Sequence, residues 1–73
     1  MTTEITIRFK NYNNDVYNRV TGSILLATEA KTAKPLIGGF YFDTQRHPME
    51  VLADFEADGF ELGDFENFEF EVK

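Results

Sequence analysis

Both ends of this chain alternate with a period of two. Ile5, Ile7 and Phe9 take every second position around Thr6 and Arg8, and Phe68, Phe70 and Val72 repeat the pattern around Glu69 and Glu71. Successive strand residues point to opposite faces, so each end reads as a strand that buries one face and wets the other. Such strands need ladder partners and a layer over the apolar face. The two ends therefore commit the chain to a sheet covered on one side. Its 73 residues form a single domain, 1–73, which buries only about 60–65% of its unfolded surface. Eight phenylalanines and three tyrosines offset this with large apolar area per residue. There is no cysteine, so no disulfide staples the fold and the redox compartment is left open.

Between the ends, Asn11-Tyr12-Asn13-Asn14-Asp15 is turn-rich and closes the first strand. Residues 20–30 read as a second strand, with Gly22 marking a bulge. Lys31 to Pro35 is a basic loop, and residues 36–42 read as a third strand weakened at Gly38-Gly39. Strands two and three are expected to form a hairpin. Pro48 suits the first turn of a helix, and Val51, Leu52 and Phe55 give it an apolar stripe. Gly59 fits the position just past a helix end that ends in a Schellman motif, which would bring Phe60 onto Phe55. The helix is expected over about 48–58. A turn at Gly63 leads to the last strand, 66–72, with Phe68, Phe70 and Val72 inward. The expected fold is α+β: a small antiparallel sheet of about four strands, in the order β-β-β-α-β, with one helix packed on it.

The charge is uneven. From His47 to Lys73 the acids outnumber the bases nine to one, whereas in residues 1–46 the bases lead six to four. The net charge of −6 thus hides a two-signed molecule. Five of the eight phenylalanines fall in the acidic segment, which a disordered acidic tail would lack. Acids on a folded scaffold sit at fixed positions and can form a recognition surface. Glu50, Asp54 and Asp58 lie at i, i+4, i+8 and form one helix ridge. Asp54, Glu56 and Asp58 also crowd the helix C-terminus, where the macrodipole disfavours anions. No lysine stands four residues away to relieve them. Such a face can simply keep a small domain soluble, or it can serve as a template for a basic partner. A DNA strand carries a charge every ~3.4 Å, and carboxylates on a ridge and an adjoining strand can imitate such a row. The candidate partner-binding residues are Glu50, Asp54, Glu56, Asp58, Glu61, Asp64, Glu66, Glu69 and Glu71. The acidic balance disfavours direct binding to nucleic acid or to an anionic membrane.

Other chemistry finds little footing. Asp54-x-Glu56-x-Asp58-Gly59 resembles the first half of a calcium loop, but its twelfth position is Phe65 rather than a bidentate glutamate. His47, the lone histidine, is an exposed helix-start residue beside Pro48, with no second nitrogen ligand for a metal. Ser23, the lone serine, has no nucleophile-elbow context. Gly38-Gly39 matches no phosphate-binding pattern. Nothing selects a catalytic pair among the carboxylates. The chain is expected not to be an enzyme and to need no cofactor or metal. The N-terminus has no basic stretch followed by an apolar run, and no apolar stretch is long enough to span a bilayer. The expected compartment is the cytoplasm.

Asn11-Tyr12-Asn13 after the first strand, and Gly63-Asp64-Phe65-Glu66-Asn67 at the start of the last, resemble one domain of the ArdA antirestriction family. In that family an Asn/Tyr/Asn-type turn, a glycine, a strand, a short helix and an Asp-aromatic-Glu turn recur in this order. The resemblance covers about residues 5–67. It implies an acidic DNA mimic carried by a phage or other mobile element, occupying the DNA groove of a host type I restriction–modification enzyme. Asp64 and Glu66 match the Asp-aromatic-Glu motif, with Phe65 where the family often has Tyr. ArdA proteins have several domains and dimerise, whereas this chain is one domain, and the expected 20–42 hairpin with Lys31 and Lys34 is long for the family. A shortened relative would aim at another nucleic-acid enzyme, such as a CRISPR effector, or at a nucleoid protein.

The expected function is therefore a non-enzymatic inhibitor of antirestriction or anti-CRISPR type. It would act in the host cytoplasm by DNA mimicry or by charge blocking of a basic groove. The alternatives are a homo-oligomeric interaction module, such as a homodimer in which the basic half of one copy meets the acidic half of the next, and a calcium-binding module.

Overall fold

The computed structural model describes residues 1–73. Its elements run β1 (Thr3–Phe9), α1 (Asn14–Arg19), a π-helical turn (Val20–Ile24), α2 (Leu25–Ala27), β2 (Ala33–Leu36), β3 (Gly39–Thr44), α3 (Pro48–Ala57), a 3₁₀ turn (Leu62–Asp64) and β4 (Phe65–Val72). The α+β class and the four-stranded antiparallel sheet are as expected. The sheet order is β2-β3-β1-β4, so the alternating ends of the chain lie side by side. Thr2 and Lys73 exchange both backbone hydrogen bonds, at 3.0 and 2.7 Å. No helix is long and apolar enough to cross a membrane.

Residues 20–30 are not a strand. They continue a helical segment that begins at Asn14, so the order becomes β-α-β-β-α-β. Asn13 caps it, its side chain accepting from the Val16 N–H at 3.0 Å. Val16, Val20 and Ile24 all point into the core. At 3.6 residues per turn, a spacing of four drifts about 40° per step. The wider π turn at Val20–Ile24 takes up that drift and keeps the three side chains over the sheet. Gly22 lies within this turn as an exposed helical residue, not in a bulge. The segment ends with Glu29 in the left-handed region (φ 56) and the Ala30 N–H on the Leu25 carbonyl, a Schellman arrangement.

The hairpin is β2–β3, later in the chain than expected, with Leu36 opposite Gly39 and Ile37-Gly38 as its two-residue turn. Gly38 supplies the positive φ, 76°. A Cβ on Gly39 would lie 1.9 Å from the carbonyl oxygen of Ile7, so the close approach of β3 to β1 requires glycine there. Helix α3 meets the expectation closely. His47 caps it, accepting from the Met49 N–H at 3.1 Å, and Glu50 reaches back to the His47 N–H at 3.2 Å. Gly59 (φ 99) ends it, and the Phe60 N–H bonds the Phe55 carbonyl.

The core holds Ile5, Ile7, Phe40 and Phe42 from the sheet, with Val16, Val20, Ile24, Val51 and Phe55 above them. At one pole Phe9, Phe55, Phe60 and Phe65 pack mutually, with every pair of ring centroids between 5.3 and 6.3 Å. Such aromatic pairs contribute about 0.5–1.5 kcal/mol each beyond their buried area. The pole thus ties the end of β1, the end of α3 and the start of β4 together. Along β4 the covering fails. Phe70 and Val72 stand opposite Ile5 and Thr3 on the helix side, yet they are 54% and 46% exposed. Their alternation was legible, but their burial was not, because β4 is an edge strand.

Candidate functional site

The nine candidate acids do not share one face. Glu50, Asp54, Glu56 and Asp58 ride on α3, on the helix side of the sheet. Glu69 and Glu71 alternate with Phe68, Phe70 and Val72, so they project from the opposite, open side. Glu61 and Asp64 sit at the phenylalanine pole. There the Asp64 carboxylate accepts from the Glu61 N–H at 2.9 Å. Glu66 is the extra residue at the irregularity where β4 shifts register against Arg8 and Phe9.

The helix ridge is occupied. Arg46 reaches Asp54 at 2.6 Å and Glu50 at 3.6 Å, and bonds the Ala27 carbonyl at the end of α2. Arg19 of α1 reaches the Asp58 carboxylate at 3.0 Å and its carbonyl, and lies 4.1 Å above the Phe60 ring. Arginine suits such multidentate contacts. Each arginine therefore fastens the first helical segment to α3, and the strain expected of an unrelieved ridge is relieved by Arg46, four residues before Glu50, and by Arg19, distant in sequence. Asp54, Glu56 and Asp58 also fail to converge as calcium ligands. The segment stays helical, Asp54 and Asp58 are engaged by arginine, and no cluster of three metal-ligating side chains forms.

The carboxylates without an ion pair among the nine are Glu56, Glu61, Asp64, Glu66 and Glu69, while Glu71 has only Lys73 at 3.9 Å. On the open face, sequence reasoning missed two acids. Register places Asp43, Glu4 and Glu71 directly across from one another on β3, β1 and β4. Three carboxylates thus stand in a row at strand spacing, about 4.8 Å per step, with Glu69 in the next row beside Thr6 and Tyr41. Like charges opposite one another destabilise a sheet. Lys73, 3.3 Å from Glu4, is the base that answers them. Its ammonium is held above its ordinary pKa by the hydrogen bond and charge of Glu4 and then by Glu71. The Tyr41 hydroxyl is also pushed up, first by desolvation and then by the charges of Glu4 and Asp43. The signal for Glu4 was present: it shares the wet parity of Thr6 and Arg8.

The two motif patches at either end of the chain come together in space. The Lys10 N–H donates to the Asp64 carbonyl at 3.0 Å. Asn11, Asn13, Asp15 and Arg19 face Asp64 and Phe60 across a shallow cleft of about 200 Å³. No family model matches the chain, and no curated protein or solved structure does either.

Proposed function

We propose that this protein is a small acidic inhibitor that blocks the basic nucleic-acid groove of a host restriction–modification or CRISPR-type enzyme. The observation that carries this is the open face. Asp43, Glu4, Glu69 and Glu71 are held by three hydrogen-bonded strands at fixed spacing, with Lys73 beside Glu4 and Arg8 and Lys34 further along the same face. The row Asp43–Glu4–Glu71, in which like charges stand directly opposite one another, supports a role for these carboxylates outside the fold. Asp64 and Glu66, which match the Asp-aromatic-Glu motif in the resemblance to ArdA domains, continue the acidic surface onto the pole.

Charge density favours blocking over faithful mimicry of a duplex. Six net negative charges on a body 31 Å long amount to one per about 5 Å, whereas duplex DNA carries one per ~1.7 Å. Inhibition by such a surface is steered by long-range attraction and weakens with salt. The test is DNA cleavage by a panel of purified restriction–modification and CRISPR complexes with and without this protein. One member of the panel is expected to be inhibited at low salt, with relief at high salt. The triple variant Glu66→Lys, Glu69→Lys, Glu71→Lys should lose inhibition while keeping its circular dichroism spectrum. Glu29→Lys, away from this face, should retain it. Full inhibition by the triple variant, or no inhibition anywhere in the panel, would sink the proposal.

A further inference from the structure

The free edge of β4 has the features of a docking site. Thr2 and Lys73 form a hydrogen-bonded pair, and in an antiparallel ladder such pairs alternate with non-bonded ones. Glu71, Glu69 and Asn67 therefore bond β1, and the N–H and C=O groups of Phe68, Phe70 and Val72 point outward from the sheet. The opposite edge is blunted. By the same alternation Pro35 faces outward on β2 and removes a donor there. Along its outer edge β4 carries no proline, and its helix-side row grows more exposed towards Phe70 and Val72.

We propose that the β4 edge accepts an extended segment of a partner protein in which basic residues alternate with apolar ones. Added as a fifth strand, such a segment lays its apolar side chains against Phe68, Phe70 and Val72 on one face. Its lysines or arginines meet Glu69 and Glu71 on the other. The backbone supplies affinity, and the period-two pattern supplies selectivity. A second copy of this chain does not fit. Pairing β4 with another β4 sets glutamates against glutamates, and β2 offers only four residues with a proline among them. The inference rests on the acids being a surface for a basic partner, and adds how that partner docks.

The probe is a synthetic peptide alternating lysine and valine, as long as β4, titrated into the isotope-labelled protein and followed by amide NMR. A peptide of the same composition, with lysines and valines in separate blocks, is the control. The alternating peptide is expected to slow amide exchange at Phe68, Phe70 and Val72, and to bind about tenfold tighter than the block peptide. Phe70→Ala keeps the outward N–H and should retain most of this binding, whereas Phe70→Pro removes that N–H and should abolish it. Equal binding of the two peptides overturns strand addition while leaving a charged surface in place. Binding of neither overturns the docking proposal, and inhibition of DNA cleavage is then judged by its own assay.

Discussion

Single residues in this protein are constrained most tightly where backbones meet. Gly39 is the clearest case, because a methyl group there would sit 1.9 Å from a backbone oxygen of β1. Backbone cannot swing aside as a flexible side chain can, so β1 and β3 would have to part over several residues. Gly39→Ala is expected to cost at least ~3 kcal/mol, at the severe end of point mutations, and urea titration measures it. A loss under ~1 kcal/mol would mean that the β1–β3 approach is looser than the geometry requires. His47 shows the opposite relation, in which chemistry is turned to structure. Its ring nitrogen accepts from Met49 and its own N–H is taken by Glu50. The one histidine is thus committed to capping, and Glu50 is partly withdrawn from the pool of free acids.

At the scale of elements, the two arginine clamps decide how the helices share the sheet. Arg46 and Asp54 are both mostly covered, with side-chain exposures of 26% and 20%, so their attraction is less screened than that of a surface pair. A double-mutant cycle through Arg46→Ala and Asp54→Ala is expected to give a coupling energy of about 1 kcal/mol that shrinks with added salt. Additive losses would show that Arg46 acts through the Ala27 carbonyl instead. These clamps also mark where sequence reasoning ran out. β1, β4, α3, its histidine cap and its glycine stop were legible because each is written in local spacing and turn chemistry. Residues 20–30 were misread because valine, isoleucine and threonine favour strands, while the fourfold spacing of Val16, Val20 and Ile24 and the Asn13 cap argued for a helix. Burial against the sheet decided for the helix. Arg46 stands four residues before Glu50, a local spacing that a search for lysine alone passes over. Arg19 was illegible for a different reason, because it lies 39 residues from Asp58 and only the packed helices bring them together. A ridge that looked free in one dimension has an arginine against each of its three acids in three.

For the whole molecule, the two-signed charge raises the question of whether copies attract one another. The fold answers much of it internally. Arg19, Arg46 and Lys73 are spent on Asp58, Asp54 and Glu4 within the chain. The basic residues left without an ion pair are Arg8, Lys10, Lys31 and Lys34, against seven unpaired acids that include Glu29 and Asp43. A head-to-tail contact between copies would therefore join a depleted basic surface to an acidic one across bodies that each carry a net −6, and net repulsion grows as salt falls. The exposed row at Phe70 and Val72 offers apolar area for self-association, but the glutamates alternating with it face their own kind in any β4–β4 pairing. Sedimentation equilibrium is expected to give a monomer at both low and high salt. A dimer that forms at low salt and dissociates at high salt would restore the interaction-module alternative. A dimer favoured by high salt would mean that the apolar row wins once the glutamates are screened. The monomer expected here is also what a blocking surface needs, because a self-paired β4 would hide the acids and the strand edge from any basic partner.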